Sequence, residues 1–132
     1  MTKSSSTDRI IVAVYGSLKR GFYNHYLLET STFMATGQVD GFQMFNLGSY
    51  PMVVSGSGQI EVELFEVNRA TFTDLDRLEG FPNYYGRQMV TVQTPHCPVE
   101  AWMYLGQRQQ VKSYKQVRSG TWKHDVAARV LR

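Results

Sequence analysis

The chain has 132 residues, a formal net charge of +3 and a 42% hydrophobic fraction, enough to bury one core with a pocket in it. That balance demands neither a disordered chain nor a strong affinity for nucleic acid. The single cysteine, Cys97, excludes an intrachain disulfide and makes a reducing, cytoplasmic setting the expectation.

In chain order, residues 1–9 are polar, without the apolar core of a secretory leader, and read as a flexible tail. Residues 10–132 read as one domain, with no run long enough to enter a membrane. Ile10–Val14 reads as a buried strand that stops in the glycine-bracketed turn Tyr15-Gly16-Ser17-Leu18-Lys19-Arg20-Gly21. If Gly16 allows a sharp change of direction there, successive N–H groups stay unpaired and converge on a carboxylate or phosphate. A plain exit from a sheet has the same look, so the turn needs a partner elsewhere. Asn24 opens a short helix that runs to Glu29. Thr32–Val39 and Phe42–Leu47 read as a strand pair around Asp40-Gly41. Met52–Val54 is a brief strand, and Gln59–Val67 a longer one in which Phe65 breaks the alternation, as in a strand buried on both faces near one end. A helix over Phe72–Glu79 follows, then strands Arg87–Thr94 and Val99–Leu105 around the loop Pro95-His96-Cys97-Pro98. Strands in runs around one central helix argue against a doubly wound parallel sheet and for an α+β barrel.

The helix supplies the partner for the first turn. Phe72, Leu75 and Leu78 recur at helical spacing as a buried stripe, with Thr71 and Asp74 as the start signal. At about 100° per residue, Glu79 lies within about 40° of the stripe's centre, whereas Asp74 and Asp76 lie about 100° to either side. Only Glu79 is expected to face inward. Gly80 is a left-handed stop, which puts Glu79 at the helix C-terminus, where burial and the helix dipole both raise a carboxyl pKa. A proton-shuttling carboxylate at neutral pH needs that shift.

Tyr15-Gly16-Ser17-Leu18 with Gly21, then Gly48-Ser49-Tyr50-Pro51, then Leu75-Asp76-Arg77-Leu78-Glu79-Gly80 with Tyr85 and Arg87, and then Ala101-Trp102-Met103-Tyr104 follow one another in an order and spacing that resembles the gamma-glutamylcyclotransferase family. A fainter echo is Ser119-Gly120-Thr121-Trp122, where Thr121 replaces the aspartate common in relatives. The resemblance implies a small mixed β-barrel with a few short helices. It also implies cyclisation of a gamma-glutamyl group to 5-oxoproline with release of an amine or amino acid. By that resemblance Glu79 is the catalytic residue, and the N–H groups of Gly16, Ser17 and Leu18 hold the substrate's α-carboxylate. Tyr15, Tyr50, Pro51, Tyr84, Tyr85, Arg87 and Tyr104 complete the candidate substrate-binding set, in which Arg87 has only a secondary place, its alternative being a structural partner for a carboxylate on the barrel. No cofactor, metal, nucleic acid or membrane is expected, only a small gamma-glutamyl substrate.

Other chemistries fit less well. Phe22-Tyr23 stand where a phosphate loop needs its lysine and hydroxyl. His96-Cys97 lacks a second ligand pair, and His25 and His124 are isolated. Ser17 lacks the nucleophile-elbow glycines and a histidine-acid pair. Lys112, Lys115, Arg118, Lys123, Arg129 and Arg132 face only Asp125, which leaves a basic partner surface as a rival and a solvated segment as the simpler reading. A non-catalytic ligand-binding module of the same fold is the other alternative.

Overall fold

The computed structural model describes residues 9–123. The expected tail lies outside them but for Arg9, whose Nε is 2.8 Å from Glu66; His124, Asp125, Arg129 and Arg132 also lie outside. Among the described residues no helix is long and apolar enough to cross a membrane.

Six strands form the fold: β1 (Ile10–Val14), β2 (Thr32–Asn46), β3 (Pro51–Val67), β4 (Gly86–Gln93), β5 (Pro98–Leu105) and β6 (Lys115–Val117). The order β3-β1-β5-β4-β2 closes on itself through a β2–β3 pairing, giving a five-stranded barrel with β6 added to β2. All ring pairings are antiparallel except β1 with β5, so the barrel is mixed, as the sequence implied. Closure removes the exposed edges of an open sheet.

Two sequence-based strand assignments change. Thr32–Val39 and Phe42–Leu47 are not a hairpin: they are one strand, β2, with a register shift between Asp40 and Phe42. Met52–Val54 and Gln59–Val67 are likewise one strand, β3. Both strands wrap far around a small barrel, and a bulge supplies the bend that a regular ladder resists.

Alternation along the strands sorts side chains into two cores. Ala13, Val39, Val62, Val92 and Met103, one from each ring strand, meet inside the barrel together with Trp122. Val12, Val14, Phe65 and Tyr104 face outward beneath helix α1 (Arg69–Glu79), which covers them with Phe72 and Leu75. Leu64 enters the first core and Phe65 the second, which accounts for the broken alternation.

Helix α1 begins earlier than Thr71. Asn68 is its N-cap, with Oδ1 accepting the Thr71 N–H at 2.8 Å. It ends as expected at Gly80, left-handed at φ 68°, with the N–H of Gly80 donating to Arg77 O and that of Phe81 to Asp76 O. Those two bonds satisfy carbonyls that the last turn leaves open. A 3-10 turn over His25–Leu28 replaces the short helix expected after Asn24, and a single helical turn, α2 (Arg108–Val111), precedes β6.

Candidate active site

The turn after β1 opens onto a cavity of about 300 Å³ that Glu79 lines from the opposite element, at the end of α1. The turn's carbonyls are occupied: Gly16 O accepts from Lys19 N, Ser17 O from Asn24 N, and Leu18 O lies 2.9 Å from His25 Nδ1. Among the described residues the N–H groups of Gly16, Ser17 and Leu18 have no acceptor. Successive N–H groups without partners form a concavity that suits an anion. The chain turns at Gly16, as the bond from Lys19 N to its carbonyl shows, and it does so without a positive φ. A Cβ there would stand 2.8 Å from Pro51 Cδ and 2.9 Å from its Cγ, so Gly16 is what lets the turn lie against the first residue of β3.

Behind the turn, the side chain of Lys19 is buried. Its Nζ donates to Trp122 O at 2.9 Å and lies 3.7 Å from Glu61. Burial lowers its pKa, against the pull of Glu61 and Glu63. The turn is thereby fixed to Trp122, which packs in the core inside the barrel.

Glu79 accepts no hydrogen bond and makes no ion pair among the described residues, and burial pushes its pKa up to about 7. Three positions earlier on α1, Asp76 behaves oppositely. Burial favours its neutral form, but bonds from Arg87 and Tyr104 outweigh that and hold its carboxyl below the ordinary value. Arg87 Nε and Nη2 donate to its two oxygens at 2.9 and 3.1 Å, and Tyr104 Oη donates at 2.6 Å. The helical wheel placed Asp76 beside the buried stripe; β4 and β5 bring the partners that draw it in. Leu78, expected in that stripe, is 42% exposed at the cavity rim.

Tyrosines make most of the remaining wall. Tyr15 Oη donates to Tyr104 O and Tyr85 Oη to Pro51 O, both at 2.8 Å, and all three rings are buried. Burial, and then the nearby Glu79 among other groups, raises the pKa of Tyr15 and Tyr85, so both stay neutral donors. Tyr50 and Tyr84 share a 2.6 Å hydroxyl contact across the mouth, and that bond is the main reason the Tyr50 pKa rises to about 12.

Of the residues singled out in the sequence, the structure brings Tyr15, Gly16, Ser17, Leu18, Tyr50, Pro51, Glu79, Tyr84, Tyr85 and Tyr104 to this one cavity. It does not bring Arg87, whose guanidinium pairs with Asp76 and lies over the rings of Phe72, Phe81 and Trp102 at 4.5, 4.1 and 4.7 Å. Tyr23 and Asn24 also line the cavity and were not foreseen. Asn24 Nδ2 donates to Ser17 Oγ at 2.9 Å, a side-chain contact seven residues apart that no local pattern announces.

Residues 12–124 match the family described as gamma-glutamyl cyclotransferase, AIG2-like. The chain belongs to that family. It is 34% identical over 111 residues to the gamma-glutamylcyclotransferase family protein YtfP of Escherichia coli (strain K12), an alignment covering 84% of this chain and 94% of YtfP. The solution structure of Escherichia coli ytfP superposes with a TM-score of 0.66, at 34% identity and over 88% of this chain and 98% of that one. An AIG2-like protein from Mus musculus superposes with a TM-score of 0.68 at 28% identity, over 74% and 76% of the two chains. YkqA from Bacillus subtilis gives a TM-score of 0.74 at 26% identity over 94% of this chain and 43% of its own, so the match covers less than half of that longer protein.

Proposed function

We propose that the protein cyclises gamma-glutamyl amides to 5-oxoproline and releases the amine. The observation that carries this reading is a single unpaired carboxyl, raised to about 7 by burial, in one cavity with three N–H groups that have no acceptor among the described residues. The substrate's α-carboxylate sits on the N–H groups of Gly16, Ser17 and Leu18. That grip folds the glutamyl unit so that its α-nitrogen approaches its own γ-carbonyl carbon. Orientation of this kind is the main contribution when both reactants belong to one molecule.

The α-nitrogen adds to the γ-carbonyl carbon and closes a five-membered ring; the carbon then expels the γ-nitrogen. Overall the attacking ammonium gives up two protons to become the lactam N–H, and the departing nitrogen gains two to leave as an ammonium ion. Glu79 relays them. A carboxyl poised near neutrality both accepts and returns a proton without a large barrier in either direction. No oxidant or second substrate enters the balance. The small cavity suits a glutamyl unit, being at the lower end of the roughly 300–1,000 Å³ range of ligand sites.

The test is release of 5-oxoproline from a panel of gamma-glutamyl amides, with Glu79→Gln alongside. Turnover by the native chain and its loss in a folded Glu79→Gln protein support the reading. Normal turnover in that variant would falsify the role of Glu79.

A further inference from the structure

The reaction above leaves the attached amine unspecified, and among the described residues the cavity wall holds no basic side chain. Among the described residues lining the cavity, Glu79 is the only one with an acidic or basic side chain other than the tyrosines. Three cations near the cavity are committed elsewhere. Lys19 is buried against Trp122 O, Arg20 Nε lies 3.4 Å from Glu63 with its guanidinium over the Phe33 ring, and Arg87 is held by Asp76. None lines the cavity.

The rim is apolar and open. Leu78 and Tyr84 are each 42% exposed and Tyr23 is 61% exposed, all three bordering the same cavity. Tyr50 and Tyr84 bond through their hydroxyls, with their rings edge to face at 6.5 Å. That pairing joins the segment before β3 to the segment after α1 and leaves ring faces and edges as the surface offered. Exposed apolar side chains gathered at a cavity mouth mark a ligand surface, whereas the same residues scattered singly need no explanation.

Resting on the cyclisation reading, we propose that the released amine carries an uncharged aliphatic or aromatic substituent, seated against Tyr23, Tyr50, Leu78 and Tyr84. A carboxylate on that substituent finds no counter-charge among the described lining residues, and a second ammonium finds only Glu79, the carboxyl that the reaction itself needs; either charge loses water on entering, which disfavours it. An apolar substituent covers the rim residues instead and gains from their burial.

Matched pairs test this in the full chain. Gamma-glutamyl-phenethylamide and gamma-glutamyl-phenylalanine differ by one carboxylate; the gamma-glutamyl amides of isoamylamine and 1,4-diaminobutane differ in carrying an apolar end or an ammonium. The expected kcat/KM for 5-oxoproline release is higher for the neutral member of each pair by about tenfold or more. Leu78→Arg, at an exposed position, is expected to shift the first pair toward the carboxylate by about tenfold. Equal or better turnover of the charged members, with no shift in Leu78→Arg, overturns the proposal. Calorimetric binding of the same four compounds separates it from the reaction. Neutral members that bind more tightly without any 5-oxoproline release preserve the apolar wall and remove the cyclisation, whereas absence of both binding and release removes both.

Discussion

Two carboxylates on one helix, three positions apart, are treated in opposite ways. Asp76 faces the outer side of β4 and β5 and is kept ionised by Arg87 and Tyr104. Glu79 faces the cavity, has no such partner among the described residues, and is held toward neutrality by burial alone. The first carboxylate fastens the helix to the barrel and the second is left free to exchange its proton. A fixed charge and a labile one are therefore separated by less than one helical turn, and what differs is the supply of donors.

The largest expected effect is at the labile end. Glu79→Gln should lower kcat/KM by roughly 10²–10⁴-fold, the usual share of a positioned proton carrier. It should also make the protein more stable above neutrality. The Glu79 pKa is raised on folding, so ionisation opposes the folded state; this costs nothing below the unfolded value of 4.5 and reaches its full size above about 7. Removing the carboxylate should therefore raise stability at pH 8 by up to about 3 kcal/mol and leave it unchanged near pH 4, as read by denaturant melts at the two pH values. Equal stability at both would show that burial of Glu79 is not the source of its shift.

Next in size is the seat itself. Gly16→Val puts carbon atoms against the Pro51 ring and should cost about 1–3 kcal/mol of stability together with on the order of 100-fold in kcat/KM. Ser17→Ala, which keeps the backbone donors, should change turnover by no more than about threefold. A reversed ranking would assign the anion to the serine hydroxyl.

At the fixed end, Asp76→Asn should destabilise the protein by about 2–3 kcal/mol, because an amide cannot accept both guanidinium bonds and the Tyr104 hydroxyl as a carboxylate does. Activity should fall about tenfold through looser placement of α1. The smallest effect is a difference not seen. The pH dependence of kcat/KM should rise to a plateau with an acid limb near 7 in both the native chain and Asp76→Asn, since the Glu79 shift comes from desolvation and not from its neighbour. A limb that moves with Asp76 would join the two carboxylates into one titrating unit.

Much of this arrangement was legible in the chain because its signals are local. The strand before Gly16, the left-handed stop at Gly80 and the inward angle of Glu79 each follow from a few adjacent residues. The fixing of Asp76 was not legible. A helical wheel reports direction relative to the helix's own stripe, whereas Arg87 and Tyr104 arrive on strands 11 and 28 residues away. Leu78 was misread for the complementary reason: its spacing suits a core stripe, but the barrel surface beneath α1 ends before it and a cavity begins. Asp40-Gly41 carries a turn signature, yet the chain runs straight through as a bulge in β2, because barrel closure demands long strands that bend.

The bond from Lys19 to Trp122 has a consequence in time as well as space. It spans 103 positions of sequence, so the rear support of the acid seat is absent until nearly the whole described chain has been made. The turn and its strand emerge early, but the contact that immobilises them closes one of the longest loops in the molecule and gains nothing until the barrel is assembled. During synthesis that support is therefore among the last contacts to form, and a chain interrupted before Trp122 carries the turn's sequence without it.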